Sequence, residues 1–135
     1  MFIQWNDAYK LGIPAVDTEH KALADLVNRF FVQVQEGAES GALGSTLNTL
    51  IEETFAHFQH EESMLDHSNY PQLSQHKAEH DRLLLQLSHF QKAFLKGEPT
   101  PRELTIDTAE FFRHWLLSHI LREDMLYKPY VMRIS

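Results

Sequence analysis

The stretch Thr54-Phe55-Ala56-His57-Phe58-Gln59-His60-Glu61-Glu62-Ser63-Met64-Leu65 decides the fold. Thr54, Phe58 and Leu65 recur at four- and seven-residue steps, the period of a helix with one apolar face. Leu47, Leu50 and Ile51 extend that stripe upstream. His57 and Glu61 are four apart, so about 40° in angle and one turn in height separate them. Both therefore lie on the apolar face, where a bundle helix meets its neighbours.

Working outward, the same period predicts helices over about residues 18–37, 45–66, 71–96 and 101–122. The first carries Leu23, Val27, Phe30 and Val34 on one face, with Gly37 as its stop. Residues 39–44 read as a loop or frayed start, and His67-Ser68-Asn69 as a turn. Pro71 suits a first helical position. The third helix carries Leu73, Leu83, Leu84, Leu87, Phe90 and Phe94 and ends at Gly97. Thr100-Pro101-Arg102-Glu103 is a capping box that opens the fourth, on which Ala109, Phe112, Leu116 and Ile120 continue the apolar face. Pro129 closes the segment beyond that helix, leaving a short tail.

Helices of this length span about 30 Å, and their short connections favour antiparallel neighbours. The expected architecture is an all-α, up-down-up-down four-helix bundle in one domain, residues 1–135. An irregular arm over 1–16 precedes it, which Trp5 could pin across the bundle end. A three-helix bundle with an ancillary helix fits less well, because all four stripes are similarly apolar.

Composition narrows the function. The 135 residues include no cysteine, which excludes thiolate metal sites, iron–sulfur clusters, disulfides and thiol nucleophiles. Twelve Lys and Arg against 19 Asp and Glu give a formal charge of −7, which argues against nucleic-acid partners. No apolar run reaches the roughly 20 residues of a membrane span, and the first residues lack a signal-peptide layout. A cytoplasmic location is the expectation. Nine histidines remain to be explained.

On helices of about 100° per residue, they sort by face. His20, His57, His76, His80 and His119 fall on inward stripes, with Glu61 beside them. Asp124 lies five after His119, about 140° away on a regular helix, so the helix must end or bulge there for it to join them. His60 falls at the edge of its stripe, His67 in the turn, and His89 and His114 on outer faces; these four read as surface or outer residues. A lone inward histidine is ordinarily a hydrogen-bonded core residue. Five of them with two carboxylates, spread over four helices, would leave a small bundle with many unpaired buried polar groups. A metal satisfies them together.

Seven ligands exceed one tetrahedral zinc sphere, and calcium or magnesium would call for oxygen ligands. Imidazole with carboxylate suits iron, and two carboxylates can each bridge a pair of ions, so a di-iron centre accounts for the set. The ferritin-like di-iron proteins are excluded: no histidine here has glutamate three residues before it. Neutral imidazoles stabilise high-valent iron less than carboxylates do, which favours reversible O₂ binding over O₂ cleavage.

The pattern His20, His57-x-x-x-Glu61, His76-x-x-x-His80 and His119-x-x-x-x-Asp124 resembles the ligand signature of the hemerythrin family. So do Asp17-Thr18-Glu19-His20-Lys21, Phe58-x-x-Glu61-Glu62-x-Met64, Tyr70-Pro71 and Trp115-Leu116-x-x-His119-Ile120. The likeness runs from Trp5 to Tyr127 and is strongest to bacterial members, which share a longer third-to-fourth connection. It implies two irons per chain, with His76, His80 and His119 on one and His20 and His57 on the other. Glu61 and Asp124 would bridge, with an oxo or hydroxo group as third bridge. Leu116 resembles the apolar residue that covers the O₂ pocket, with core packing as its plain alternative; Trp5 and Trp115 resemble packing residues.

The implied function is O₂ carriage, storage or delivery by a protein that is not an enzyme. O₂ or redox sensing is an alternative, against which the chain ends soon after Asp124. Action on peroxide or nitric oxide, or iron storage, is another; only His60 is a candidate acid or base outside the ligands.

Overall fold

In the computed structural model, which describes residues 3–97 and 106–132, the chain is a helical bundle with no strand among those residues. Helix α1 runs Pro14–Gln35, starting earlier than the expected residue 18. Pro14 lacks the donor that a helix start leaves unpaired. The Asp17 carboxylate accepts the Leu11 and Gly12 N–H groups at 2.8 and 3.1 Å, turning the arm into the helix. The arm itself contains a 3₁₀ turn, Asp7–Tyr9. Ile3 fastens it to α1, and Trp5 packs against the core as well. The buried Asn28 side chain accepts from Ile3 N–H at 3.1 Å and donates to Ile3 O at 2.8 Å. Trp5 is half-buried and rests on Tyr9.

Gly37, at φ 74°, ends α1 as expected: the Ala38 N–H reaches Gln33 O at 2.9 Å and the Gly37 N–H reaches Val34 O at 3.1 Å. Helix α2 runs Ser40–His67, so residues 40–44 are helical and not a loop. The cost of two glycines there is about 1 kcal/mol each. It is offset by complete burial of Leu43 and of the Leu47 and Leu50 that come after it. Asn69 ends α2 at φ 54° with the same paired bonds, Tyr70 N–H to Leu65 O and Asn69 N–H to Asp66 O. Pro71 lies in the turn, and helix α3 runs Leu73–Leu95.

Helix α4 runs Ile106–Ser118; the proposed capping box over 100–103 lies outside the described residues. A π-helical segment, His119–Asp124, continues it directly, and then α5, Met125–Met132. The helical path therefore continues past residue 122. Pro129 does not stop it, because burial of Tyr127 and Val131 offsets one missing backbone donor.

Side chains divide the interior into layers. At one end Phe30, Phe31, Phe90, Phe94 and Phe112 pack largely edge to face, with centroids 4.8–6.4 Å apart. Leu23, Leu83 and Leu116 form an apolar middle. Next to it a buried polar layer holds the histidines, with Leu11, Val16, Leu65 and Tyr127 buried toward the other end.

Candidate metal centre

All five inward histidines and both carboxylates are buried, and they meet at one level of the bundle. The four remaining histidines, His60, His67, His89 and His114, are exposed. Helical spacing delivers the pairs on α2 and α3, and α1 contributes His20. Asp124 joins through the π-helical segment. Its i→i+5 bonding widens the turn, so Asp124 returns over His119, their Oδ1 and Nε2 atoms 3.0 Å apart.

The carboxylate oxygens sort the imidazoles into three and two. Glu61 Oε1 lies 3.1, 3.0 and 3.8 Å from Nε2 of His76, His80 and His119. Glu61 Oε2 lies 3.0 and 3.3 Å from Nε2 of His57 and His20. Asp124 repeats the division: Oδ1 is 3.1 Å from His76 and 3.0 Å from His119, and Oδ2 is 2.9 Å from His20. Two overlapping groups result, Glu61, His76, His80, His119 and Asp124, and His20, His57, Glu61 and Asp124. Within each, the donor atoms lie within 4.8 Å of one another.

These atoms crowd a common centre, and hydrogen bonds satisfy only part of the set: His20, His76 and His80 Nε2 pair with the Glu61 oxygens. His57 Nε2, His119 Nε2 and both Asp124 oxygens make no hydrogen bond despite the short separations. Unpaired buried polar atoms are rare in native interiors. A cation in each group would face every one of them, and a set of imidazole nitrogens and carboxylate oxygens suits iron. The residues present therefore fit the metal that the sequence pattern implies.

Several supporting contacts escape a reading of periodicity. Tyr127 OH donates to Glu61 Oε2 at 3.0 Å. Burial, together with Glu61 and Asp124, pushes its phenol pKa far up, so it stays protonated. The Phe58 ring stacks on His80 at 3.7 Å and 2°. Glu19 spans His57 Nδ1 at 2.9 Å and His60 Nδ1 at 2.7 Å, and Glu62 meets His80 Nδ1 at 2.9 Å. Their signal in the sequence is a glutamate chain-adjacent to an inward residue, at Glu19-His20 and Glu61-Glu62.

Electrostatics without a metal are set by burial and pairing. Burial disfavours charge on His20, His76 and His119, but the two carboxylates outweigh it. Their pKa values rise to about 9, about 9 and about 10. Burial likewise opposes ionisation of Glu61 and Asp124, and the surrounding imidazoles hold both below the usual carboxylate range. The raised histidines stabilise the fold fully below their ordinary 6.5, and that contribution fades as pH climbs through 9 and 10. The depressed carboxylates stabilise it above their ordinary values of 4.5 and 3.8, and that contribution is lost on acidification.

Metal-free protein is therefore expected to be most stable between about pH 5 and 6.5. It should melt at a lower temperature at pH 10 than at pH 6. Metal uptake at pH 7 should release protons, because the imidazoles whose pKa the carboxylates raise must lose theirs to bind. Calorimetry in buffers of different ionisation enthalpy checks the release. A flat melting profile from pH 6 to 10 would contradict the pairing.

An apolar cavity adjoins the centre and touches both groups of imidazoles. Leu23, Phe58, Leu83, Trp115 and Leu116 line it with His20, His57 and His119, and its volume is about 10 Å³. That is room for one small molecule. Leu83, Trp115 and His119 also line a larger outer groove between α3 and α4, so they form the wall between cavity and surface. Trp115 is fastened there, its indole N–H donating to Leu83 O at 3.2 Å. No helix among the described residues is long and apolar enough to cross a membrane.

Comparison with known proteins bears on the fold and the family. A solved wild-type hemerythrin superposes with a TM-score of 0.86 at 32% identity, covering 97% of this chain and 98% of that one. The bacteriohemerythrin of Methylococcus capsulatus is 37% identical over 126 residues, 93% of each chain. Myohemerythrin-1 of Phascolopsis gouldii is 27% identical over 92% of this chain and 90% of its own. Residues 11–131 match the family model described as the hemerythrin HHE cation binding domain. With a histidine and carboxylate cluster compatible with a di-iron site on the matching helical bundle, the chain belongs to the hemerythrin family.

Proposed function

We propose that this protein holds two iron ions and binds O₂ reversibly, for carriage, storage or delivery, as a binding protein and not an enzyme. The observation that carries the reading is the division of five imidazoles by the two oxygens of Glu61. His76, His80 and His119 would hold one ion and His20 and His57 the other, with Glu61 and Asp124 bridging. The group with two imidazoles offers fewer protein ligands, and both of them, His20 and His57, line the apolar cavity, which His119 of the other group also reaches. When bound, a ferrous pair supplies reversible two-electron chemistry toward O₂.

The chain's own groups supply the surroundings. Leu23, Phe58, Leu83 and Leu116 give the small cavity an apolar wall that offers water no hydrogen-bond partner. Tyr127 directs its proton to Glu61 Oε2 and fixes that oxygen in place. The wall of low polarity disfavours separation of charge inside the cavity.

The test is metal analysis and then O₂ mixing. Protein produced with ample iron should carry about two equivalents per chain. Reduced protein mixed with O₂ in a stopped-flow cell should change its absorption, and the change should reverse when O₂ is swept out. One bound zinc, or continued O₂ consumption without a stable complex, would overturn the reading.

A further inference from the structure

Among the imidazoles of the centre, two have an outer carboxylate on ring Nδ1. Glu19 Oε1 lies 2.9 Å from His57 Nδ1, and Glu62 Oε2 lies 2.9 Å from His80 Nδ1. His20 Nδ1 and His119 Nδ1 have no hydrogen-bond partner. One supported imidazole therefore belongs to each of the two ligand groups.

The arrangement has a simple geometric origin. Glu19 adjoins His20 on α1 and reaches across to α2; Glu62 adjoins Glu61 on α2 and reaches across to α3. A residue one step from an inward position is turned by about 100°, which aims it at the seam with the next helix. At that seam it meets the outer edge of the imidazole at the same level. The Glu19 carboxylate is itself held from the far side, because its second oxygen lies 2.7 Å from Nδ1 of the exposed His60.

We propose that Glu19 and Glu62 are positioning residues for the two halves of the metal centre, Glu19 orienting His57 and Glu62 orienting His80. This rests on the reading of the centre as a two-metal site. An imidazole is free to rotate about its Cβ–Cγ bond, and only one orientation presents Nε2 to a metal. A carboxylate on Nδ1–H selects that orientation, fixes the tautomer and raises the basicity of the ligating nitrogen. His119 and His20 lack such a partner, and their rings are set by packing. Both glutamates are largely but not wholly covered, at 31% and 27% side-chain exposure, so their removal opens no deep cavity.

The experiment measures release of ferrous iron, under anaerobic conditions, from loaded protein to a chromogenic chelator in excess. The parent should release two equivalents slowly. Glu19→Ala and Glu62→Ala should each speed release of one equivalent by about 10- to 100-fold, and the double variant should speed both. Glu19→Gln and Glu62→Gln should fall between, since the amide oxygen still accepts from Nδ1–H without the charge. They also keep the test in force if an alanine variant folds poorly. A merely structural role would lower the melting temperature of the metal-free protein and leave both release rates unchanged. Rates within about twofold of the parent, in protein that binds two equivalents, overturn the assignment of positioning roles. A parent that binds fewer than two equivalents overturns the two-metal reading first, and the assignment with it.

Discussion

Glu61→Ala should reduce the iron content of the protein from about two equivalents to about one or none, the largest effect expected of any single substitution. Among the described residues, Glu61 is the only group whose two oxygens face all five imidazoles, three from one oxygen and two from the other. Its removal takes an anionic donor from both groups at once and leaves Asp124 as the one carboxylate they share among the described residues. Asp124→Ala should cost less, since Asp124 faces three imidazoles and not five. Metal analysis of purified variants reads the result directly. His89→Ala, on an exposed face, is the control and should keep both equivalents. Full iron content in Glu61→Ala would mean that the carboxylate does not bridge.

Leu116→Ala should leave O₂ binding in place and speed oxidation of the O₂-loaded protein to the ferric state. Leu116 is buried, lies one turn before His119, and forms part of the cavity lining beside His20, His57 and His119. Truncation adds space to a cavity that now admits one small molecule, so water can enter behind O₂. Water there supplies protons and hydrogen bonds that stabilise separated charge, which the apolar wall otherwise disfavours. The substitution should also cost roughly 2–5 kcal/mol of stability, as for other buried leucines. Leu87→Ala separates the two effects. Leu87 is equally buried, two turns beyond His80 on α3, and is not part of the cavity wall. It should lose comparable stability and oxidise at the parental rate. Equal oxidation rates in both variants and the parent would reduce Leu116 to core packing.

The inward placement of the seven candidate residues was legible because helical periodicity is local. His57 with Glu61, and His76 with His80, share a face by covalent geometry alone, whatever packs against them. Asp124 was legible as a misfit: five residues from His119, it required a departure from the regular helix, and the π-helical segment is that departure. The helix boundaries at Pro14 and Ser40 were not legible, because burial of Leu43 and the hold of Asp17 on the arm are tertiary effects that override local propensity. The continuation through Pro129 has the same cause, since Tyr127 and Val131 gain their burial only from the assembled bundle.

Which atoms meet across the bundle was decided by tertiary structure alone. The two oxygens of Glu61 cannot be told apart in a sequence, yet they face different groups of imidazoles. His60 reads as an edge residue, and its contact with Glu19 depends on how α1 and α2 are rotated against each other. Tyr127 reads as the end of a motif, and its hydroxyl reaches Glu61 only because the chain stays helical beyond Asp124. The sequence by itself determined which side chains turn inward, since a helix repeats every 3.6 residues regardless of its neighbours. Only the packed bundle decided which oxygen faces which nitrogen, because that depends on the rotation and height of one helix against the next, and no local period encodes either.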